Sequence, residues 1–413
     1  LVIGKSRDLP AHIQGSDMTS TGSCLLNPSL TCKEQIEKAR FSEAKSEETS
    51  ARPLHVVVFT PLGEGGQGGV DRMMDGLRSA LKIDRFANLK TYFFTTRGPG
   101  SIFLSPLFLA HAIIRLLLLR LLGRVDVVHI NLSAFGSAYR KLILARISSI
   151  CRLPYVLHLH SGQFDHFWDS RKRMLKKEID LMFLNSQGIV VLGCYWKKVV
   201  SDRLPACSGK AVIVPNATPT AVSNGPKVMR EAANILFLGR LGPEKGVPEL
   251  VAALARLGSN SRWRATLAGD GAVNDTRAAV VRAGLGDRTS VPGWVDSAQV
   301  ETLLQEADIL VLPSLSENLP MSVIEALAHG AAVICTPVGA LPEIIEHERT
   351  GLIVKPGDVE GLASALGRLI EDPDFRRRLA ENGKALHKAR LDIEVCAERL
   401  VAIWTEAAHA GER

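Results

Sequence analysis

From residue 54 onward, short continuous apolar runs alternate with longer stretches of mixed polar and apolar residues. The first six runs are HVVVF (55–59), TYFFT (91–95), DVVHI (126–130), YVLHL (155–159), IVVL (189–192) and AVIV (211–214). A strand exposed on one face alternates apolar with polar residues. Unbroken β-branched runs separated by helical stretches predict instead a parallel sheet covered on both faces. The rhythm pauses at PNATPTAVSNGPKVMREAA (215–233), rich in Pro, Asn, Ser and Thr, which reads as a link between domains. It resumes with ILFLG (235–239), ATLAG (265–269), TSV (289–291), ILVLP (309–313), AVICT (332–336) and LIV (352–354). Two doubly wound α/β halves follow, each long enough for its own core. The expected limits are 53–215 for the first domain, 216–233 for the linker, 234–390 for the second domain and 391–413 for a final helix packing back on the first.

Three stretches break this rhythm. Residues 1–52 show no apolar segment after a basic start, so no secretory signal is expected there, and the Glu-, Lys- and Ser-rich part reads as a disordered extension. Residues 102–122 are apolar enough to span a membrane, but His111, Arg115 and Arg120 interrupt them. A central Arg costs about 2.5–3.5 kcal/mol in a bilayer, so a mostly buried crossover helix before the strand at 126 is expected instead. The tail 374–408 carries two helix-like segments with basic faces, read as solvated.

A chain of 413 residues with 46% hydrophobic content can fill two cores. Its seven cysteines are scattered and without a CxxC pair, so they suggest neither a disulfide framework nor a zinc site, and a reducing cytosol fits best. The formal charge of +7 and pI near 9.1 suit an anionic partner. The basic run RKRMLKKE (171–178) has no interleaved aromatics and no RNA-binding motif beside it. A solvated helix or an anionic membrane surface explains it better than nucleic acid.

Open parallel sheets bind ligands beyond the carboxyl ends of their strands, so the loops there hold the candidate chemistry. They are PLGEGGQGGVDRM (61–73), GRLGPEKGV (239–247) and PSLSENLPMSVIEALAHG (313–330). In the last, Pro320 suits the first turn of a helix, and the N–H groups of Met321, Ser322 and Val323 would be free to receive phosphate. Glu317 precedes that helix and Glu325 lies on it, placed to meet two ends of a hydroxyl-bearing ligand. Two bare glutamates at this spacing would ordinarily be a cap and a surface residue.

The run SENLPMSVIEALAHGAAVICTPVGALPEII followed by TGLIV resembles the donor-site signature of glycosyltransferase family 4, the retaining enzymes of the GT-B fold. The likeness extends through GRLGPEKG, AGDG, the glycine loop after the first strand and HLHSG, over roughly residues 54–405. It implies two Rossmann-like domains facing a cleft, an N-terminal one for the acceptor and a C-terminal one for a nucleotide sugar. By the resemblance, Glu317 lies near the transferred sugar and Glu325 holds the ribose hydroxyls. Arg240 and Lys245 neutralise the leaving diphosphate, and His160 faces the sugar. Gly68 and Gly69 belong to a loop that approaches the donor phosphates or the acceptor, while Gly269 and Gly271 and the helix start Leu319, Pro320, Met321 and Ser322 line the donor side of the cleft. His158 is read as a core residue on the opposite face. The implied donor is a UDP- or GDP-sugar, with no other cofactor and no metal, since no DxD-like pair stands in a loop. The implied acceptor is a saccharide or a polyprenyl-diphosphate-linked saccharide in bacterial surface polysaccharide or glycolipid assembly, at the inner face of the cytoplasmic membrane.

Two departures stand out. The usual Glu-Gly-Phe-Gly opening is Glu317-Asn318-Leu319-Pro320, which lacks glycine flexibility, and the usual Pro-Asn-Gly turn is Pro215-Asn216-Ala217. Two other readings compete. Gly63, Gly65 and Gly68 satisfy GxGxxG and would suit a nicotinamide-dependent oxidoreductase, but the acidic residue expected after the second strand is missing. A noncatalytic nucleotide-sugar or nucleic-acid binder is the other.

Overall fold

The computed structural model describes residues 52–66, 68–221, 231–257 and 262–412. The expected extension, except Arg52, and residues 222–230 of the expected linker lie outside the described residues.

All twelve apolar runs are strands. The first sheet contains β1 (Leu54–Thr60), β2 (Leu89–Thr95), β3 (Val127–Leu132), β4 (Tyr155–Leu159), β5 (Gly188–Val191) and β6 (Ala211–Ile213) in the order β2-β1-β3-β4-β5-β6. The second contains β7 (Ala233–Leu238), β8 (Trp263–Ala268), β9 (Thr289–Gly293), β10 (Ile309–Leu312), β11 (Ala332–Cys335) and β12 (Leu352–Ile353) in the order β12-β11-β10-β7-β8-β9. Every recorded pairing is parallel. Continuity of the apolar runs has a direct cause in β1, where Val57 and Phe59 enter one core while Val56 and Val58 enter another.

Six helices matter for the site. They are α1 (Gly69–Ala80), α2 (Ser105–Leu121), α3 (Gly136–Ile150), α4 (Cys194–Arg203), α5 (Met321–Ala328) and α6 (Ile393–Glu412). The terminal α6 covers the first sheet: Ile393, Cys396, Ala397, Leu400 and Trp404 share a core with Val56, Met73, Val127 and Val156. The indole N–H of Trp404 donates to Nδ1 of the fully buried His129 at 3.0 Å, fixing the helix to β3 as well.

The crossover helix departs from expectation. Only 22% of the apolar window in 102–121 is buried. Ser105, Leu109, Ala112 and Leu116 form one buried stripe, whereas Phe103, Leu107, Ile114, Leu118 and Leu121 face solvent. A single stripe satisfies the sheet, and the remaining leucines have no layer above them.

Candidate active site

The carboxyl ends of both sheets border one cleft of about 570 Å³, a size suited to a small ligand. A depression of about 620 Å³ lies at the amino end of the first sheet, lined by Leu54, Leu89 and Asp126. Parallel sheets do not present their ligand-binding loops at that end.

The loop after β7 carries Arg240 and, in the short turn Pro243–Lys245, Lys245. Their walls are set by a close approach of two loops: a Cβ at Gly269, where φ is 152°, would lie 1.8 Å from the Gly239 carbonyl oxygen. Only glycine fits. Lys245 Nζ meets Glu317 Oε1 at 2.5 Å, and Ser314 Oγ donates to the same oxygen at 2.8 Å. The structure thus joins Lys245 and Glu317 as an ion pair on the cleft wall. Arg240 is exposed, lines the cleft, and makes no ion pair among the described residues.

Helix α5 begins at Met321, so Pro320 is its N-cap rather than its first helical residue, and no side chain caps the helix start. Opposite it, α1 begins at Gly69 with Gly68 as N-cap, also without a side-chain cap. The two starts face each other closely, since a Cβ at Gly69 would sit 3.3 Å from Met321 Cγ. Each carries partial positive charge from unsatisfied N–H groups. Two helix starts, Arg240 and Lys245 therefore converge on one cleft.

His160 follows β4 and also lines the cleft. Asn131 donates its amide N–H to the Phe59 carbonyl at 3.0 Å, so its oxygen must be the acceptor for His160 Nε2 at 2.7 Å. This fixes the proton on Nε2 and leaves Nδ1 bare. Burial, reinforced by His129, pushes the imidazole pKa far down, so the ring is neutral. His158 is fully buried, as expected, but not on the opposite face. Side chains two apart on a strand share a face, and the two rings lie 4.0 Å apart between centroids.

The Asn318 departure has a visible role. Its side-chain amide donates to the His160 carbonyl at 3.0 Å, and Asn216 in the other variant turn donates to the Leu319 carbonyl at 2.8 Å. A Cβ at Gly162 would stand 2.9 Å from the Glu317 carbonyl oxygen, so the HLHSG loop presses directly on the glutamate segment. Glycine at 162 permits that approach.

Of the site residues expected from sequence, His160, Arg240, Lys245, Glu317, Gly69, Gly269, Leu319, Pro320, Met321 and Ser322 line the cleft. Gly68, Gly271 and Glu325 do not. Glu325 is buried beneath α5, where Oε1 pairs with Arg72 of α1 at 2.7 Å and Oε2 has no partner. Burial raises its pKa, and Arg72 opposes that. Sequence reasoning missed Arg72, Asn216, Asn318 and Trp294, a half-exposed indole on the cleft rim. Asn216 and Asn318 stand out in the sequence only as departures from the motif, the indole stands out as an aromatic residue just past a strand end, and Arg72 carries no signal. Among the described residues no three His, Cys, Asp or Glu side chains form a metal-binding group.

The GxGxxG-like loop is already satisfied from within. Asp71 accepts from the Leu62 and Gly63 amides at 2.9 and 3.1 Å, and Asp75 accepts from Gly65 at 2.9 Å. Amides that would cradle a dinucleotide pyrophosphate are thus spent on α1 carboxylates.

Two doubly wound domains facing a cleft through their strand carboxyl ends define the GT-B architecture. Residues 226–386, most of the second domain, match the family model described as "Glycosyl transferases group 1". The chain is 29% identical to the alpha-D-kanosaminyltransferase of Streptomyces kanamyceticus over 174 residues, 42% of this chain. That stretch spans 45% of the relative's length. In structure it resembles sucrose-phosphate synthase from Thermosynechococcus elongatus, at a TM-score of 0.68 and 20% identity, covering 87% of this chain and 100% of the other. It also resembles Anabaena HepE, solved with UDP and glucose, at a TM-score of 0.64 and 18% identity, covering 85% and 99%.

Proposed function

We propose that this chain is a retaining, metal-independent glycosyltransferase that moves a hexose from a UDP- or GDP-sugar to a saccharide acceptor. The carrying observation is the convergence of two uncapped helix starts with Arg240 and Lys245 on one cleft. Such an array stabilises the negative charge that appears on a diphosphate as it leaves. Trp294 on the rim offers a stacking surface for the nucleobase. His160 and Glu317, both on the cleft wall, flank the hexose, and Glu325, buried against Arg72 behind that wall, supports it rather than meeting the ribose directly.

In the reaction, the bond between the anomeric carbon and the phosphate oxygen breaks, and its electron pair leaves with the diphosphate. An acceptor hydroxyl attacks the anomeric carbon from the face being vacated, and its proton passes to the departing phosphate oxygen. The first domain takes the acceptor, which is lipid-linked at the cytoplasmic membrane face during surface polysaccharide or glycolipid assembly. The exposed apolar face of α2 supports that placement.

Titration calorimetry with UDP and GDP tests the donor site. Arg240→Ala and Lys245→Ala should each weaken nucleotide binding roughly 10- to 100-fold, as expected for a charge-assisted contact of about 1.5–3 kcal/mol. Unchanged affinity in both overturns the donor assignment. An inverted product by NMR, or activity lost in EDTA and restored by magnesium, overturns the mechanism.

A further inference from the structure

The first domain holds a group of cations that donor binding does not use. Arg97 follows β2, and its backbone N–H donates to the Pro61 carbonyl at 2.8 Å. Arg140 lies on the first turn of α3, with Nη1 3.5 Å from where a Cβ on Gly136 would stand. The Nε atoms of both guanidiniums are buried and have no hydrogen-bond partner, and neither residue forms an ion pair among the described residues. Beneath them Lys141 is fully buried and donates to Thr96 Oγ1 at 2.7 Å. The nearby carboxylate, Asp71, is committed to the Leu62 and Gly63 amides. Arg140 and Arg97 lie close enough to repel. Two guanidiniums and a buried amine against one engaged carboxylate, at the carboxyl edge of a parallel sheet, make an arrangement completed by an anion, which would also favour the protonated amine.

What adjoins the group indicates what carries the anion. Gly98, next to Arg97, packs under the ring of Phe108 on α2, where a Cβ would meet the ring at 2.2 Å. That side continues into Phe103 and Leu107, 88% and 68% exposed. On the other side, Tyr139 beside Arg140 is half exposed and receives Arg171 Nη1 on its hydroxyl at 3.4 Å. Cations therefore sit at the foot of an uncovered apolar helix.

We infer that Arg97 and Arg140, backed by Lys141, form a phosphate subsite for a lipid-linked acceptor whose hydrocarbon lies along the exposed start of α2. This rests on the glycosyltransferase reading for what the acceptor is, but its test does not depend on turnover. Geranyl diphosphate, inorganic pyrophosphate and geraniol are titrated into the full chain and into R97Q/R140Q, with UDP affinity as the control for an intact fold and donor site. Geranyl diphosphate should bind the wild type at least about tenfold more tightly than either fragment probe, and the double variant should lose about tenfold or more of that affinity while UDP binding persists. UDP should not displace geranyl diphosphate. Equal affinity in wild type and double variant, or displacement by UDP, overturns the subsite. Pyrophosphate binding as tightly as geranyl diphosphate overturns the lipid assignment. Failure of UDP and GDP to bind at all would reject the donor reading while leaving the arginine dependence readable. Lys141→Met gives a second variant that leaves both guanidiniums in place and should reduce the affinity less.

Discussion

An ammonium group sealed under a sheet edge is costly to hold charged. Lys141 is fully buried, and desolvation, with Arg140 adding, lowers its pKa from 10.5 to about 7. The unfolded chain therefore binds more protons than the folded one between about pH 7 and 10.5, and stability from this group rises with pH across that window. Below pH 7 the penalty is fully present. Lys141→Met should accordingly stabilise the fold at pH 6, by a few kcal/mol, and the advantage should vanish by about pH 10.5. Urea denaturation of both proteins across that range checks it, and a constant difference would mean the ammonium is not the cause. Legibility at this scale divides by distance in sequence. Residues inside a contiguous motif, such as Lys245, Glu317 and Met321, could be picked out because the motif resembles a known signature whose Pro and Gly positions also describe a turn and a helix start. Arg72, Asn216 and Asn318 could not, because each acquires meaning only from a partner more than one hundred residues away: Glu325, Leu319 and His160. Asn318 even read as a loss of flexibility, when its amide is a bridge.

At the scale of elements, strands were legible because both faces of each sheet are covered, which forces continuous apolar runs. Helix α2 was misjudged for a related reason: its composition reports that it is apolar, not how many layers cover it. Only one stripe meets the sheet, and leucines at 107, 118 and 121 remain 68%, 50% and 83% exposed. An uncovered surface of this kind marks an interaction site. The basic cluster contributes less than its charge count suggests, since Arg171 stacks on Phe167 and Lys176 pairs with Asp169, leaving Lys172, Arg173 and Lys177 exposed. Replacing Leu107, Leu118 and Leu121 with serine should therefore abolish sedimentation with anionic vesicles. Each exposed change should alter stability by no more than about 0.5 kcal/mol. Charge reversal at 172, 173 and 177 in the otherwise wild-type chain should weaken binding at low salt, by roughly 1 kcal/mol per residue. Undiminished sedimentation of the serine variant would show that α2 does not contact lipid.

The whole molecule is held with its cleft drawn in by polar contacts that cross between the sheet domains. Arg72 reaches from α1 to Glu325, Asn318 reaches the His160 carbonyl, and both carboxylate oxygens of Glu343 accept the Cys194 N–H at 2.8 and 2.9 Å. The last places a negative charge at the start of α4, where the helix dipole favours it. Around that contact the backbones are close, with a Cβ on Gly193 falling 2.7 Å from the Ala340 Cβ. These contacts are polar, but Leu192 of the first domain is buried in the second domain's core and Met321 packs against the first domain's, so separating the domains also exposes some hydrocarbon. Each charged contact contributes about 1.5–3 kcal/mol, so removing two should shift an open–closed equilibrium by a factor of roughly 100 or more. The terminal helix α6, built into the first domain's core, prevents the domains from coming apart altogether. Arg72→Ala combined with Glu343→Ala should therefore leave each domain folded while increasing the radius of gyration in small-angle scattering. It should also weaken UDP binding, because the helix starts at Gly69 and Met321 would no longer face each other closely. Loss of Arg72 leaves the buried Glu325 without its cation, so burial alone would then raise its carboxyl pKa further and favour the neutral form. Adding Glu325→Gln to the double variant should change UDP affinity little at low pH, where that carboxyl is already protonated, and more at high pH. Scattering identical to the wild type would show that these pairs do not hold the cleft, and a collapse of thermal stability would show that they hold the domains themselves.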